Sequence, residues 1–237
     1  KLFQLYERLA KGGVGLIITG YAYVSQDGKC MFGGMQGIDR DDHIPKYREL
    51  VDRVHGAGAK IAMQIAHCGR QTHRDAIGVQ PISPSRVLDT STLVMPREMT
   101  EEDIERVIEA FARAAWRVRE AGFDAVQLHG AHGYLISSFL CPHTNRRKDR
   151  WGGPLEHRMR FVAETYRRCR RAVGDDYPLL IKINAADGMK KGLTVEESAL
   201  MAQMMSDMGF DGIEVSCGIG EDNLTQLRGD LPVEAIL

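Results

Sequence analysis

Residues 129–135 read His-Gly-Ala-His-Gly-Tyr-Leu, so two imidazoles and a phenol fall within a few positions. An imidazole N–H can donate to a carbonyl oxygen, and a phenol can deliver a proton. Together His129, His132 and Tyr134 could hold a substrate oxygen and protonate a neighbouring atom. A single histidine here would read as a satisfied core residue. The cluster, placed where a strand runs into a loop, reads as a site. A metal set is the weaker reading of His129 and His132, because no acidic or thiol third ligand stands near them in sequence. No metal is expected.

Three further polar residues interrupt apolar runs. Lys182 lies inside Leu-Leu-Ile-Lys-Ile-Asn, where an unpaired charge would be costly. Either Glu214 pairs with it or a ligand with delocalised negative charge does. Gln64 closes Lys-Ile-Ala-Met-Gln, and its amide offers both a donor and an acceptor, as a heterocycle edge requires. Arg70, in His-Cys-Gly-Arg, opens a long loop, with solvated and binding roles equally open. Gly12-Gly-Val-Gly15 precedes a strand instead of following one, so it is a helix exit and not a dinucleotide fingerprint.

The elements that must position these residues alternate. Short β-rich runs occupy 14–19, 60–65, 125–129, 179–184 and 212–217. Helical periodicity covers 2–11, 43–57, 101–121, 155–173 and 195–208. Thr100 with Asp103, and Thr194 with Glu197, have capping-box spacing. Gly122, Gly174 and Gly209 stand where helix-ending glycines belong. Ala-Gly-Phe-Asp-Ala-Val at 121–126 and Met-Gly-Phe-Asp-Gly-Ile at 208–213 are near copies, a weak β/α repeat.

Alternating strands and helices imply a parallel sheet. Gln64, Gln127, His129, Lys182, Asn184, Glu214 and Ser216 share one strand parity, while Val126, Leu128, Ile181, Ile183, Ile213 and Val215 share the other. An open doubly wound sheet, helix-covered on both faces, would be apolar on both. One apolar and one polar face fits a (β/α)8 TIM barrel with a polar mouth. About five of its eight strands are visible, so the α/β barrel is expected to be incomplete and the chain a piece of a longer one. No composition shift divides it, and residues 1–237 read as a single partial barrel domain. Loops 66–99 and 130–154 both follow strands on the side where barrel sites form.

A net charge of -1 leaves no footprint for nucleic acid. No apolar run approaches the ~20 residues that cross a bilayer, and no signal peptide opens the chain. The five cysteines are widely spaced with no CxxC, which favours reduced thiols and a cytoplasmic location. A homo-oligomer is compatible with this sequence.

The chain resembles the Old Yellow Enzyme family of FMN-dependent NAD(P)H oxidoreductases. The resemblance rests on Gly-Gly-Val-Gly-Leu-Ile-Ile-Thr (12–19), Gln-Ile-Ala-His-Cys-Gly-Arg-Gln (64–71) and His-Gly-Ala-His-Gly-Tyr-Leu (129–135). It also rests on Phe-Leu-Cys-Pro-His-Thr-Asn-Arg-Arg-Lys-Asp-Arg-Trp-Gly-Gly (139–153), with Glu156, Arg158 and Phe161. The resemblance implies a (β/α)8 barrel that binds FMN, takes NADH or NADPH as reductant and reduces the activated C=C bond of an enone or enoyl substrate.

By resemblance, Gln64 meets the flavin pyrimidine edge and Lys182 stands where relatives carry a basic residue near N1–C2. Gly20 and Tyr21 fall at the strand end beside the flavin. His129 and His132 match the pair that holds the substrate oxygen, and Tyr134 the proton donor. Cys68, Trp151 and Tyr21 depart from many relatives, which bears on substrate preference. The family's first strand is expected before Lys1 and its phosphate-binding strands after Leu237. Two rival readings remain. One is the FMN barrel of a larger iron–sulfur flavoprotein of the 2,4-dienoyl-CoA reductase, 2-enoate reductase or trimethylamine dehydrogenase type. The other is an inactive barrel fragment.

Overall fold

The computed structural model describes residues 2–31 and 33–221, so the expected domain of 1–237 runs past them at both ends. The order begins α1 (Leu2–Lys11), β1 (Leu16–Ile18), β2 (Ala22–Tyr23), β3 (Gln36–Gly37), α2 (Ile44–Gly56) and β4 (Lys60–Ala66). It continues α3 (Arg74–Ile77), β5 (Ile82–Ser83), β6 (Arg97–Glu98), α4 (Glu101–Glu120) and β7 (Ala125–Gly130). It ends α5 (Leu135–Leu140), α6 (Leu155–Val173), β8 (Leu179–Asn184), α7 (Val195–Met208) and β9 (Gly212–Ser216).

The main sheet runs β3-β2-β4-β7-β8-β9, with β1 also paired to β4, and every pairing is parallel. β1 and β2 are one barrel strand interrupted at 19–21, since both pair with β4 in continuous order. This gives five successive barrel strands among the described residues, the partial TIM barrel the alternation predicts. The expected strand 14–19 forms only at Leu16–Ile18, and the break that follows it carries Tyr21 to the mouth.

The two strand parities separate as expected. Ile61, Met63, Ile65, Val126, Leu128, Ile181 and Ile183 are buried against Ile104, Val107, Ile108, Phe111, Phe161 and Val162 of the helix layer. The other parity turns Gln64, Gln127, His129 and Lys182 inward.

Local chemistry fixes the boundaries. Thr100 and Asp103 close a full capping box at the start of α4, whose first turn carries three acidic residues against the helix dipole. The expected second box is only half made. Thr194 accepts from the Glu197 N–H, but the Glu197 carboxylate goes to Arg158 instead of back to the cap. Gly122 and Gly209 end α4 and α7 at φ of 87° and 99°, left-handed values that favour glycine. After each, an aspartate accepts the N–H that opens the preceding strand: Asp124 from Ile61 and Asp211 from Leu179, both at 2.8 Å. The repeat is thus one device used twice, an acid that pins adjacent strands in register.

Two features depart from the sequence reading. The stretch 130–154 contains α5, all of whose residues are buried. A short helix buried on every side has no amphipathic period to reveal it. Arg70 is not solvated. It is fully buried, donating to Leu88 O at 2.9 Å and to Glu221 Oε2 at 2.8 Å.

Candidate functional site

Each strand delivers its mouth residue to one place. β7 carries His129 at its penultimate position, and the turn after it carries His132 and Tyr134. The 19–21 break in the first barrel strand carries Tyr21. Tyr21 and Tyr134 share a hydrogen bond between hydroxyls at 2.7 Å. The His129 ring packs edge-on to Tyr21, His132 and Tyr134, with centroids 5.6, 5.0 and 4.9 Å away. His132 and Tyr134 line a cavity of about 320 Å³ together with Gln71 and the segment 217–220. A larger cavity of about 560 Å³, against Phe3, Lys46 and Tyr47, contains none of these rings.

Neighbouring groups set the protonation of the rings. Burial, then His132 and Lys182, drives the His129 pKa well below its ordinary value, so the ring is neutral. The Ala131 N–H donates to His129 Nδ1 at 3.3 Å, so the proton of the neutral ring sits on Nε2, ready to donate. Burial and Lys182 also lower His132, against an opposing pull from Glu214. Burial pushes Tyr21 up to about 12. Burial, helped by the bond to Tyr21, raises Tyr134 far above its ordinary value. Both phenols keep their protons at neutral pH. The site is a set of uncharged donors with a proton in reserve.

His132 is held in place by residues the sequence reading did not single out as site members. Its backbone adopts a left-handed φ of 63°. Its N–H donates to Asn184 Oδ1 at 3.1 Å, its carbonyl accepts from Gln71 Nε2 at 2.8 Å, and its Nε2 meets Ser216 Oγ at 2.7 Å. Asn184 and Ser216 share the polar parity, and that was the available signal. Their common target could not be read, because it lies in a turn.

Deeper in the wall is a polar row. Gln64 Nε2 donates to Gln127 Oε1 at 2.6 Å, and Gln127 Nε2 to Glu214 Oε2 at 3.0 Å. Glu214 Oε1 meets Lys182 Nζ at 2.7 Å. The structural alternative for Lys182 is thus realised. Burial works against Glu214 ionising, but the bonds from Lys182 and Gln127 hold its carboxyl below its ordinary value. Gly20, beside Tyr21, leaves room for a flat group. A Cβ built there would meet nothing closer than 3.9 Å.

The donor set suits a flavin. An isoalloxazine edge alternates acceptors with an N–H donor, which one amide can match. Its reduced anion gains from a nearby cation. Gln64 would supply the first and Lys182 the second. Among the described residues no group of three His, Cys, Asp or Glu side chains gathers as metal ligands.

The long run 139–153 has a different purpose. Trp151 is fully buried, with its indole N–H on Glu101 at 2.6 Å. Asn145 Nδ2 ties Phe139 O and Trp151 O at 2.8 and 2.7 Å. Phe139 stacks on Phe161 at 4.1 Å. Arg158 joins Leu140 to Glu197. These contacts clamp the turn that carries His132 and Tyr134 to α6 and α7.

Comparison with known proteins agrees with this architecture. The profile of the NADH:flavin oxidoreductase / NADH oxidase family matches residues 2–218. An NADH oxidase of Thermoanaerobacter brockii is 42% identical over 229 residues, covering 96% of this chain and 35% of that protein. The structure of 2-naphthoyl-CoA reductase with 2-naphthoyl-CoA superposes with a TM-score of 0.88 at 33% identity, over 93% of this chain and 35% of that one. An old yellow enzyme homologue from Zymomonas mobilis superposes at 0.80 with 26% identity, over 92% and 64%. The chain therefore spans about a third of the first two proteins and under two thirds of the third. Its matched profile, its barrel and its flavin-compatible wall agree, and the chain belongs to the NADH:flavin oxidoreductase / NADH oxidase family.

Proposed function

We propose that the chain is the FMN barrel of an enzyme that reduces activated C=C bonds of α,β-unsaturated carbonyl compounds with NADH or NADPH. The observation that carries this reading is the neutral ring cluster, with His132 and Tyr134 lining one cavity. FMN, once reduced by NAD(P)H, would supply hydride to the β-carbon. Everything else falls to this chain's side chains.

His129 and His132 hold the carbonyl oxygen. His129 donates from Nε2, and as a neutral donor it stabilises the enolate-like charge that grows on that oxygen without neutralising it beforehand. Tyr134 keeps its proton and delivers it to the α-carbon. Tyr21 fixes the Tyr134 hydroxyl through their 2.7 Å bond. Gln64 would hold the flavin's pyrimidine edge and Lys182 would balance its negative charge. Gly20 leaves space beside it. The wide spacing of the cysteines, with no CxxC among them, suits a cytoplasmic location.

A second reading has its own support. The low coverage of the NADH oxidase and of 2-naphthoyl-CoA reductase, 35% in each, favours a barrel set in a longer flavoprotein that takes an enoyl thioester. The visible spectrum of the full-length protein tests both readings. A bound flavin should bleach anaerobically with NADH or NADPH and recover on adding 2-cyclohexenone or crotonyl-CoA. A protein that binds no flavin, or whose reduced flavin ignores both acceptors, refutes the proposal.

A further inference from the structure

The loops over the strand ends enclose a second cavity, about 430 Å³, within the size range of small-ligand sites. Arg86, Leu88, His143, Arg146, Met189 and Glu221 line it. They come from the loops after β5, α5, β8 and β9, all on the mouth side of the barrel. The cavity borders the one that holds His132 and Tyr134. Gly220 lines the first and Glu221, the next residue, lines the second.

The charge of this second cavity is lopsided. Glu221 is the one acid in its lining, and that acid is already engaged. Its carboxylate accepts from Arg70 Nη2 at 2.8 Å and from the Thr90 N–H at 2.8 Å. Burial opposes its ionisation, but these bonds hold it below the ordinary carboxylate range. Arg70 is itself fully buried and contributes nothing outward beyond that pair. Arg86 and Arg146 are exposed at the cavity, and among the described residues neither is within ion-pair reach of a carboxylate. The Arg146 side chain donates from Nε to His143 O at 3.0 Å, which orients its guanidinium and leaves the terminal nitrogens open. Val87 and Leu88 add apolar surface beside the two cations.

We propose that this cavity binds the phosphate end of a nucleotide-linked ligand whose reactive end occupies the histidine–tyrosine cavity. The inference rests on the flavin-oxidoreductase reading given above. A planar guanidinium matches phosphate oxygens in a fork, and two of them beside an apolar wall suit a phosphorylated adenosine. Two ligands carry that chemistry: the reductant NADPH and a coenzyme A thioester of the alkene.

Calorimetric titration of the full-length flavoprotein separates them without turnover. The probes are adenosine 2′,5′-bisphosphate for the NADPH end and free coenzyme A for the thioester. At least one should bind, and the double variant Arg86→Ala/Arg146→Ala should weaken it by about tenfold or more, the scale of a lost charge-assisted bond. The lysine pair Arg86→Lys/Arg146→Lys keeps the charge and should recover part of the loss. Binding of the bisphosphate alone assigns the cavity to NADPH, and binding of coenzyme A alone assigns it to the thioester. If the wild type binds neither probe, or if the alanine variant binds as the wild type does, the proposal is wrong. Reoxidation of the dithionite-reduced wild type by 2-cyclohexenone, which carries no phosphate, tests the ene-reductase reading separately. Failure with both 2-cyclohexenone and crotonyl-CoA would sink that reading while the titration still reports on the cavity.

Discussion

The ring cluster at the mouth and the polar row in the wall face the same interior from the same strands, yet one is neutral and the other charged. His129 is 3% exposed, and its neighbours Tyr21 and Tyr134 exclude water from it. The Lys182 and Glu214 side chains are 19% and 40% exposed and keep an ion pair. Desolvation disfavours charge most where water is most fully excluded. The two regions also interact. His129 lies opposite Lys182 in the strand register, and that cation is one reason the imidazoles stay neutral. One inward face thus carries a neutral ring cluster and a charged wall.

The comparison is open to attack at each end, and the largest effect is expected at Tyr134. Tyr134→Phe removes the reserve proton, so the reoxidation of reduced flavin by an enone should slow by about 10²–10⁴-fold. Stopped-flow reduction by NAD(P)H should be little affected, and equal slowing of both half-reactions would remove Tyr134 as the proton donor. Next come the oxygen-holding imidazoles. His129→Ala or His132→Ala should cost about 10²–10³-fold in enone reduction, the scale of one lost oxyanion donor. A loss in the KM alone, with kcat intact, would mean that they bind the ground state and nothing more.

The wall should respond in potential more than in rate. Lys182→Met removes a cation and leaves Glu214 facing the flavin, so the reduction potential should fall. A change of about 30 mV corresponds to about 1.4 kcal/mol for a two-electron couple. Glu214→Gln should move it upward. Spectroelectrochemical titration of both variants decides the sign, and an unchanged potential would break the assignment of the wall to the flavin.

The smallest effect is on stability against pH. His129 has a folded-state pKa well below its unfolded value. The unfolded chain therefore binds a proton near pH 6.5 that the folded chain refuses. That contribution to stability is complete above the unfolded pKa and declines as the pH falls below it. Denaturant midpoints should drop between pH 7 and pH 5, and His129→Asn should flatten the drop. A slope identical in the variant would contradict a neutral, buried His129.

The sequence by itself determined the alternation of elements and the assignment of faces. Both depend on short-range rules: side chains alternate along a strand, apolar residues recur along a helix, and glycines end helices where φ turns positive. Helices 2–11, 155–173 and 195–208 and strand 179–184 agree with the structure residue for residue. The polar parity also named, in advance, every residue of the wall row. The histidine–tyrosine cluster was legible because its members lie within one turn of chain.

Tertiary structure alone decided the partners. Tyr21 and Tyr134 are 113 positions apart, and only the pairing of the first barrel strand with β4, and of β4 with β7, brings their hydroxyls together. Asn184 and Ser216 reach His132 across two strands. The buried Arg70 and the fully buried α5 carry no periodic signal, because each is defined by what surrounds it from distant parts of the chain. The same holds for charge. Whether a histidine is neutral or a lysine is paired depends on the water and neighbours that folding removes or supplies, and no local pattern of residues contains that information.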